Sequence, residues 1–254
     1  MTSRTLYLHG QGIGNETASV QCAWIQEQTG LAMTPLHYHD LLEETPVRFL
    51  GHRLPAPPAS DARLQLAHYL AELEIDDETA QRLPSREITR AHLYETYRSA
   101  FPYLTRRAAY KRVRRSLLDQ IVAATTTIRA RGQSITLVGH SLGSVIALDL
   151  LQELPACVTI DRFVTLGSPL GMLASLPGTL GSTAVPETRR SVQMPWHDFA
   201  TEGDLLATVQ RLSRRKQFAG DPLALTTILG DYENPHESYF IDPEVARTWT
   251  SACR

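Results

Sequence analysis

The sequence predicts an α/β protein built on a doubly wound, mostly parallel sheet. Three observations carry that prediction. Short apolar segments alternate along the chain with longer ones whose apolar residues recur at helical spacing. Ser134-Ile135-Thr136-Leu137-Val138 is β-branched and apolar on both faces, as a parallel strand covered by helices on both sides reads. The 254 residues are 43% apolar with 15 glycines and 15 prolines, an ordinary globular composition that excludes collagen-like and low-complexity chains. A chain of this length forms one or two domains and buries a core without staples.

The elements follow in order. Residues 5–8 form a short apolar strand that runs into the glycine cluster Gly10-Gln11-Gly12-Ile13-Gly14. Asn15 is placed to cap a helix over 16–28, which Gly30 ends. A second strand is expected over 33–38. Residues 44–115 change in character. Pro55-Ala56-Pro57-Pro58 is loop, and Leu64, Ala67, Leu70, Ala71 and Leu73 have helical spacing. Further helices are expected from Asp76 to before Pro84 and over 86–100, where Pro102 stops the chain. A long helix covers 105–131 and ends at Gly132. After the strand at 134–138, a helix is expected over 142–154 and another buried strand over 161–166. Residues 171–187, rich in Gly, Pro, Ser and Thr, read as a loop or lid. Later strands are expected over 193–199 and 225–229. The whole is one domain over 1–254, with 44–115 a helical cap inserted between sheet strands.

Charge narrows the partners. There are 25 basic and 27 acidic residues, a net charge of −2, so no global field favours nucleic acid or an anionic membrane. Cys22, Cys157 and Cys253 are odd in number and far apart, unlike a disulfide framework or zinc ribbon. No apolar run approaches the ~20 residues of a membrane span. The first residues have no long apolar stretch of a signal peptide, so a cytoplasmic protein without integral membrane association is the expectation.

Gly139-His140-Ser141-Leu142-Gly143 is the sharpest signal. It is a G-x-S-x-G between a buried strand and an apolar helix. Small residues at 139 and 143 let the chain fold back without a Cβ clash, leaving Ser141 Oγ at the tip of a strained turn at the C-terminal edge of the sheet. The helix behind it supplies positive partial charge, and the Leu142 N–H points to where an oxyanion would form. The bland reading is an ordinary glycine-rich β–α connection. A dinucleotide fingerprint fails at the amino end, because Asn15 stands where the third glycine is needed.

At these residues the chain resembles the α/β-hydrolase superfamily, in its serine esterase/lipase-like branch. The resemblance rests on Gly139-His140-Ser141-Leu142-Gly143, on Leu166-Gly167-Ser168-Pro169-Leu170 after the next strand, and on His9-Gly10 after the first. It covers most of the chain outside 44–115. It implies an α/β-hydrolase fold and a triad in the order Ser, acid, His, with the acid after a late strand and the His in a C-terminal loop. Two histidines follow Ser141: His197 lies within a strand candidate and His236 in a polar loop. The implied order selects His236 as base. Between Ser141 and His236, Asp198 and Asp204 stand near a strand end, and Asp231 is more distant. The late-strand pattern maps Asp204 onto the acid and Asp198 onto a structural Asn. Leu205 in place of Pro, and Asp198 in place of Asn, keep Asp198 open as the acid; Asp204 also reads as a helix cap. The Leu8-His9-Gly10-Gln11-Gly12 turn resembles the family's oxyanion turn, which implies the Gln11 N–H beside that of Leu142.

Weaker features remain. His9, Leu170 and Met172 are candidates to line the substrate site, and Leu173, Leu176 and Leu180 are candidates for an acyl pocket or lid. His37-Tyr38-His39-Asp40 has metal-ligand composition but no second cluster downstream, so it reads as a polar loop. Arg106, Arg107, Lys111, Arg112, Arg114 and Arg115 form a basic run, either a solvated helix face or a docking surface for an anionic group.

These features together predict a serine hydrolase that cleaves a carboxylic ester, lipid-like or with a bulky acyl group, through an acyl-enzyme on Ser141. Catalysis of this kind calls for no metal and no organic cofactor. The partner is a small acyl ester or lipid, with no nucleic acid. A thioesterase or acyltransferase, and a non-catalytic acyl-binding module on the same fold, are the competing readings.

Overall fold

A computed structural model describes residues 4–10, 14–38, 40–41, 107–170, 194–204, 206–207 and 223–254. Among the described residues six strands form one sheet: β1 (Arg4–Leu8), β2 (Met33–Leu36), β3 (Ile135–His140), β4 (Arg162–Leu166), β5 (Trp196–Thr201) and β6 (Leu223–Ile228). Their order is β2-β1-β3-β4-β5-β6, and every neighbouring pair is parallel. The expected doubly wound parallel sheet is therefore present. The helices are α1 (Asn15–Thr29), α2 (Arg107–Ala130), α3 (Leu142–Leu151) and α4 (Pro243–Ser251), with a 3-10 turn at Ser238–Phe240. The expected elements within 44–105 and the loop at 171–187 lie outside the described residues.

Alternation along the strands explains the two layers. Leu6, Leu8, Leu137 and Phe163 point to one face, where they pack with Val113, Leu117 and Ile121 of α2 and Val145, Ile146 and Leu148 of α3. Tyr7, Val138 and Val164 point to the other, with Ala18, Cys22 and Ile25 of α1 and Val245, Ala246 and Trp249 of α4. Both faces are covered, so even the polar strand residues Thr5, Thr136, Thr165 and Asp198 are buried. Residues 107–115 of the expected insertion belong to α2, and Val113 is already in the core.

Several boundaries differ from expectation, among them β3 at Ile135–His140 and β6 at Leu223–Ile228. Gly14, not Asn15, is the cap of α1: it is extended, and its carbonyl accepts from Ala18 N–H at 3.0 Å. Asn15 Nδ2 instead donates to Asp40 Oδ2 at 2.7 Å. β2 stops at Leu36 because the Gln120 side-chain amide takes over, accepting from His37 N–H at 2.9 Å and donating to His37 O at 2.9 Å. Pro35 fits β2 because β2 is an edge strand. β5 starts at Trp196 rather than 193, after Pro195, which has no N–H to give. The helix α3 ends at Leu151, three residues early. Gly30 ends α1 as expected, in the left-handed region at φ 73°.

The basic run divides. Arg114 turns inward to ion pairs with Asp149, at 3.1 Å, and with Glu153, both on the α3 side. Lys111, Arg112 and Arg115 are exposed. Helix α4 was not anticipated. Its start signal was present: Asp242 caps it by accepting from the Glu244 and Val245 N–H groups, and Pro243 follows. Among the described residues no helix is long and apolar enough to cross a membrane.

Candidate active site

Parallel register aligns the strand ends. Leu8 lies opposite Gly139, and His140 opposite Leu166, which in turn lies opposite Phe199. Everything that follows these residues therefore emerges at one edge of the sheet.

One residue, Ser141, separates β3 from α3. Its φ is 51° and ψ −125°, and among the described residues it is the one non-glycine with positive φ. Such backbone costs about 1–3 kcal/mol and persists only where its surroundings impose it. Here Ser141 N–H donates to Leu166 O at 2.9 Å, and Ser144 N–H donates to Ser141 O at 3.0 Å. The two flanking glycines permit the turn by close approach. A Cβ on Gly139 would lie 2.5 Å from Ser144 Cα, and one on Gly143 would collide with the carbonyl oxygens of Leu8 and His9. Helix α3 thus crosses directly over the end of β1. A buried pair of hydroxyls ties the elbow to the next loop: Ser144 Oγ lies 2.5 Å from Ser141 O and 2.5 Å from Ser168 Oγ.

Asp204 sits in the turn after β5 and is 1% exposed. It accepts four sets of hydrogen bonds. His236 Nδ1 lies 3.1 Å from each carboxylate oxygen. Tyr239 Oη donates to Oδ2 at 3.0 Å. The N–H groups of Leu206 and Ala207 donate to Oδ1 at 3.1 and 3.4 Å. Asp204 therefore hydrogen-bonds His236 and caps the following turn with one side chain. Burial works against its charge, but the His236 charge, the His236 hydrogen bond and the Tyr239 hydroxyl outweigh it and hold the carboxyl below its ordinary range.

His236 lies in the turn after β6, with its side chain a quarter exposed. Burial disfavours its protonation, yet the Asp204 charge and hydrogen bond, with Glu237 behind them, leave it raised above the ordinary 6.5. The turn is pinned at two consecutive carbonyls. Thr201 Oγ1 and Ser238 Oγ each donate to Pro235 O at 2.6 Å, and His140 Nε2 donates to His236 O at 3.0 Å. Gly167, at φ 53°, closes the floor: a Cβ there would lie 2.7 Å from Asp204 Oδ2 and 3.0 Å from His236 Nδ1. The hydrogen bonds of His236 run from its ring to Asp204 and from its carbonyl to His140.

The other expected residues fall as follows. Asp198 is buried within β5, accepts from Thr165 Oγ1 at 2.5 Å, and is not brought to His236; Trp196 Nε1 donates to the same Thr165 hydroxyl at 3.0 Å. Asp231 is exposed, and His197 is half-buried in β5, in register with Val164. Leu142 opens α3, so its N–H is among those with no acceptor inside the helix. His9 is fully buried, stacked on Tyr38 at 4.3 Å between ring centroids. Leu170 is buried in the core. A Cβ on Gly10 would lie 3.1 Å from Ser141 Cβ, so the end of β1 abuts the elbow. Gln11, Met172 and His39 lie outside the described residues. Tyr239 and Thr201 were missed: three residues after the histidine and at a strand end, neither carries a recognisable pattern.

No family model matches the sequence, and no curated protein does. Among solved structures the chain is similar to a dienelactone hydrolase from Anabaena variabilis, at 15% identity over 98% of this chain and 86% of that one, with TM-score 0.47. It is similar to an esterase from Pyrobaculum calidifontis, at 13% identity over 100% and 76%, with TM-score 0.43. It is also similar to a lipase-esterase related protein from Clostridium acetobutylicum, at 11% identity over 99% and 94%, with TM-score 0.43. The chain's own six-stranded parallel order, its strand–Ser141–helix elbow, and the Asp204 and His236 turns after β5 and β6 make this an α/β-hydrolase fold.

Proposed function

We propose that the chain is a serine-dependent hydrolase of carboxylic esters. The observation that carries the reading is the strained φ of Ser141 at the same sheet edge as a buried, four-fold hydrogen-bonded Asp204 that holds His236. Strain imposed on one serine, beside an oriented imidazole, is the arrangement that nucleophilic acyl transfer requires.

In this mechanism Ser141 Oγ attacks the ester carbonyl carbon as His236 Nε2 takes the hydroxyl proton. The carbonyl π electrons move to oxygen. That oxyanion is met by the Leu142 N–H at the start of α3 and by the Gln11 N–H, each such donor worth roughly 3–4 kcal/mol in the transition state. Collapse breaks the ester C–O bond, and His236 gives its proton to the departing alkoxide. Water then attacks the acyl-enzyme as His236 takes its proton; the Ser141 Oγ–acyl bond breaks, His236 returns the proton to Oγ, and the carboxylic acid leaves. Asp204 holds the imidazole tautomer and stabilises the imidazolium without taking the proton. Residues 44–106 select the substrate, and their size favours a lipid-like or bulky acyl group.

Hydrolysis of p-nitrophenyl esters of increasing acyl length, with the matching thioesters as a second series, tests the reading. Turnover of oxygen esters that vanishes in Ser141→Ala is expected. Folded wild-type protein inert across both series sinks the proposal, and turnover of thioesters alone replaces it with a thioesterase.

A further inference from the structure

His140 stands in the variable position of the elbow, and the proposed chemistry does not use it. It is fully buried. Its ring packs against His236 at 4.8 Å between centroids, Phe240 at 5.2 Å and edge-on, and Tyr239 at 5.7 Å. We infer that His140 is a positioning residue: its Nε2–H holds the main-chain carbonyl of His236 and so fixes the base relative to the adjoining Ser141. The inference rests on the reading of Ser141 and His236 as nucleophile and base.

Three features carry it. The first is connectivity. His140 and Ser141 are consecutive, so the bond from His140 Nε2 to His236 O, 3.0 Å long, sets the base turn directly against the nucleophile's own strand. Thr201 and Ser238 hold the preceding carbonyl of Pro235. Two consecutive peptide carbonyls are thereby fixed from the ends of β3 and β5, on the N-terminal side of the turn's exit.

The second is the tautomer. A carbonyl only accepts, so Nε2 carries the proton and Nδ1 keeps a lone pair. That Nδ1 is buried and has no hydrogen-bond partner. It faces Gly10, where a Cβ would lie 3.1 Å away. An apolar side chain would fill this volume without stranding an acceptor. The imidazole earns its place through the one donor at Nε2.

The third is charge state. Burial first, and the neighbouring His236 ring second, push His140 down to about 3, while the hydrogen bond to the His236 carbonyl and the Asp204 charge pull the other way and His9 adds to the fall. His140 therefore stays neutral across the working range and does not compete for the serine proton.

The test compares wild type with His140→Leu, which fills the space without a donor, and His140→Gln, whose amide nitrogen reaches to about where Nε2 lies. His140→Leu should lower kcat for p-nitrophenyl acetate, and the rate of phosphonate labelling, by about 10- to 100-fold with KM little changed, because misplacement of a catalytic group acts on the reacting geometry. Its acid limb should move toward the ordinary histidine value as His236 loosens from Asp204. His140→Gln should recover most of kcat and the wild-type pH limb. Melting temperatures establish that each variant is folded; if His140→Leu is not, His140→Ala replaces it with the same expectation. Folded Leu and Gln variants that are equally impaired, or a Leu variant with wild-type kcat, overturn the inference. A folded wild type inert to ester and phosphonate overturns the underlying reading itself, a result separate from either of these.

Discussion

Removing one oxygen from Tyr239 separates stability from catalysis at this site. The hydroxyl accepts from Thr201 N–H at 2.9 Å and donates to Asp204 Oδ2 at 3.0 Å. Burial first and the Asp204 charge second keep the phenol protonated, so it is always a donor. Thr201 N–H needs this acceptor because β4 ends at Leu166, short of it. Tyr239→Phe therefore strands a buried N–H, at a cost of about 1–3 kcal/mol, and removes a hydrogen bond to a charged carboxylate, worth about 1.5–3 kcal/mol. The two losses sum to about 2.5–6 kcal/mol. For a chain of this size each kcal/mol moves Tm by roughly 2–4 °C, so thermal unfolding should show a drop on the order of 10 °C. Activity should fall far less, because His236 Nδ1 still reaches both oxygens of Asp204. A Tm within about 2 °C of wild type would refute the hydrogen-bond accounting. A drop in kcat of about 10³-fold or more with little loss of Tm would move Tyr239 from support to chemistry.

Other predictions concern the same edge of the sheet. Asp204→Asn should reduce kcat by about 10⁴-fold through loss of the correct imidazole tautomer, whereas Asp198→Asn should mainly lower Tm; steady-state kinetics and melting of both variants decide between the two carboxylates. Because Asp204 outweighs burial and raises His236, and because the base must be neutral, kcat/KM should fall as pH drops through a value above 6.5; a pH–rate profile with its acid limb below 6.5 would contradict this. Gly143→Ala places a Cβ against the carbonyls of Leu8 and His9, and should cost about 1–3 kcal/mol or more by overpacking while displacing the end of β1, which melting and ester turnover together would show. His140, lowered by burial to about 3, opposes folding as pH falls from its unfolded value near 6.5, because only the unfolded chain then gains the proton. Wild type should lose up to about 1.4 kcal/mol per pH unit from this group, and His140→Gln should flatten that acid dependence in denaturant titrations.

The strands were legible because burial on both faces leaves a written trace: the consecutive Leu137 and Val138 are both apolar, and they enter the two core clusters on opposite faces of β3. Ser141 was legible because its backbone demands glycines at fixed offsets, and Gly139 and Gly143 meet that demand through contacts of the main chain alone. Asp204 was harder. Asp198 and Asp204 are alike in composition and lie at the same strand, and only the three-dimensional turn after Thr201 gives one of them to His236 while Thr165 takes the other. Tyr239 and His140 act across sequence separations of 35 and 96 residues, which no local pattern records. The cap of α1 was misassigned for the opposite reason. Asn15 is an excellent local candidate, but Asp40 competes for its side chain.

The claim at the centre of this account is that Ser141 is a nucleophile. Intact-mass and peptide mapping after treatment with a fluorophosphonate measures that directly. One adduct per chain is expected, on the peptide containing Ser141, absent from a Ser141→Ala variant that melts as wild type does. Folded protein that takes up no adduct, or one modified at a different residue while Ser141 stays free, would contradict it.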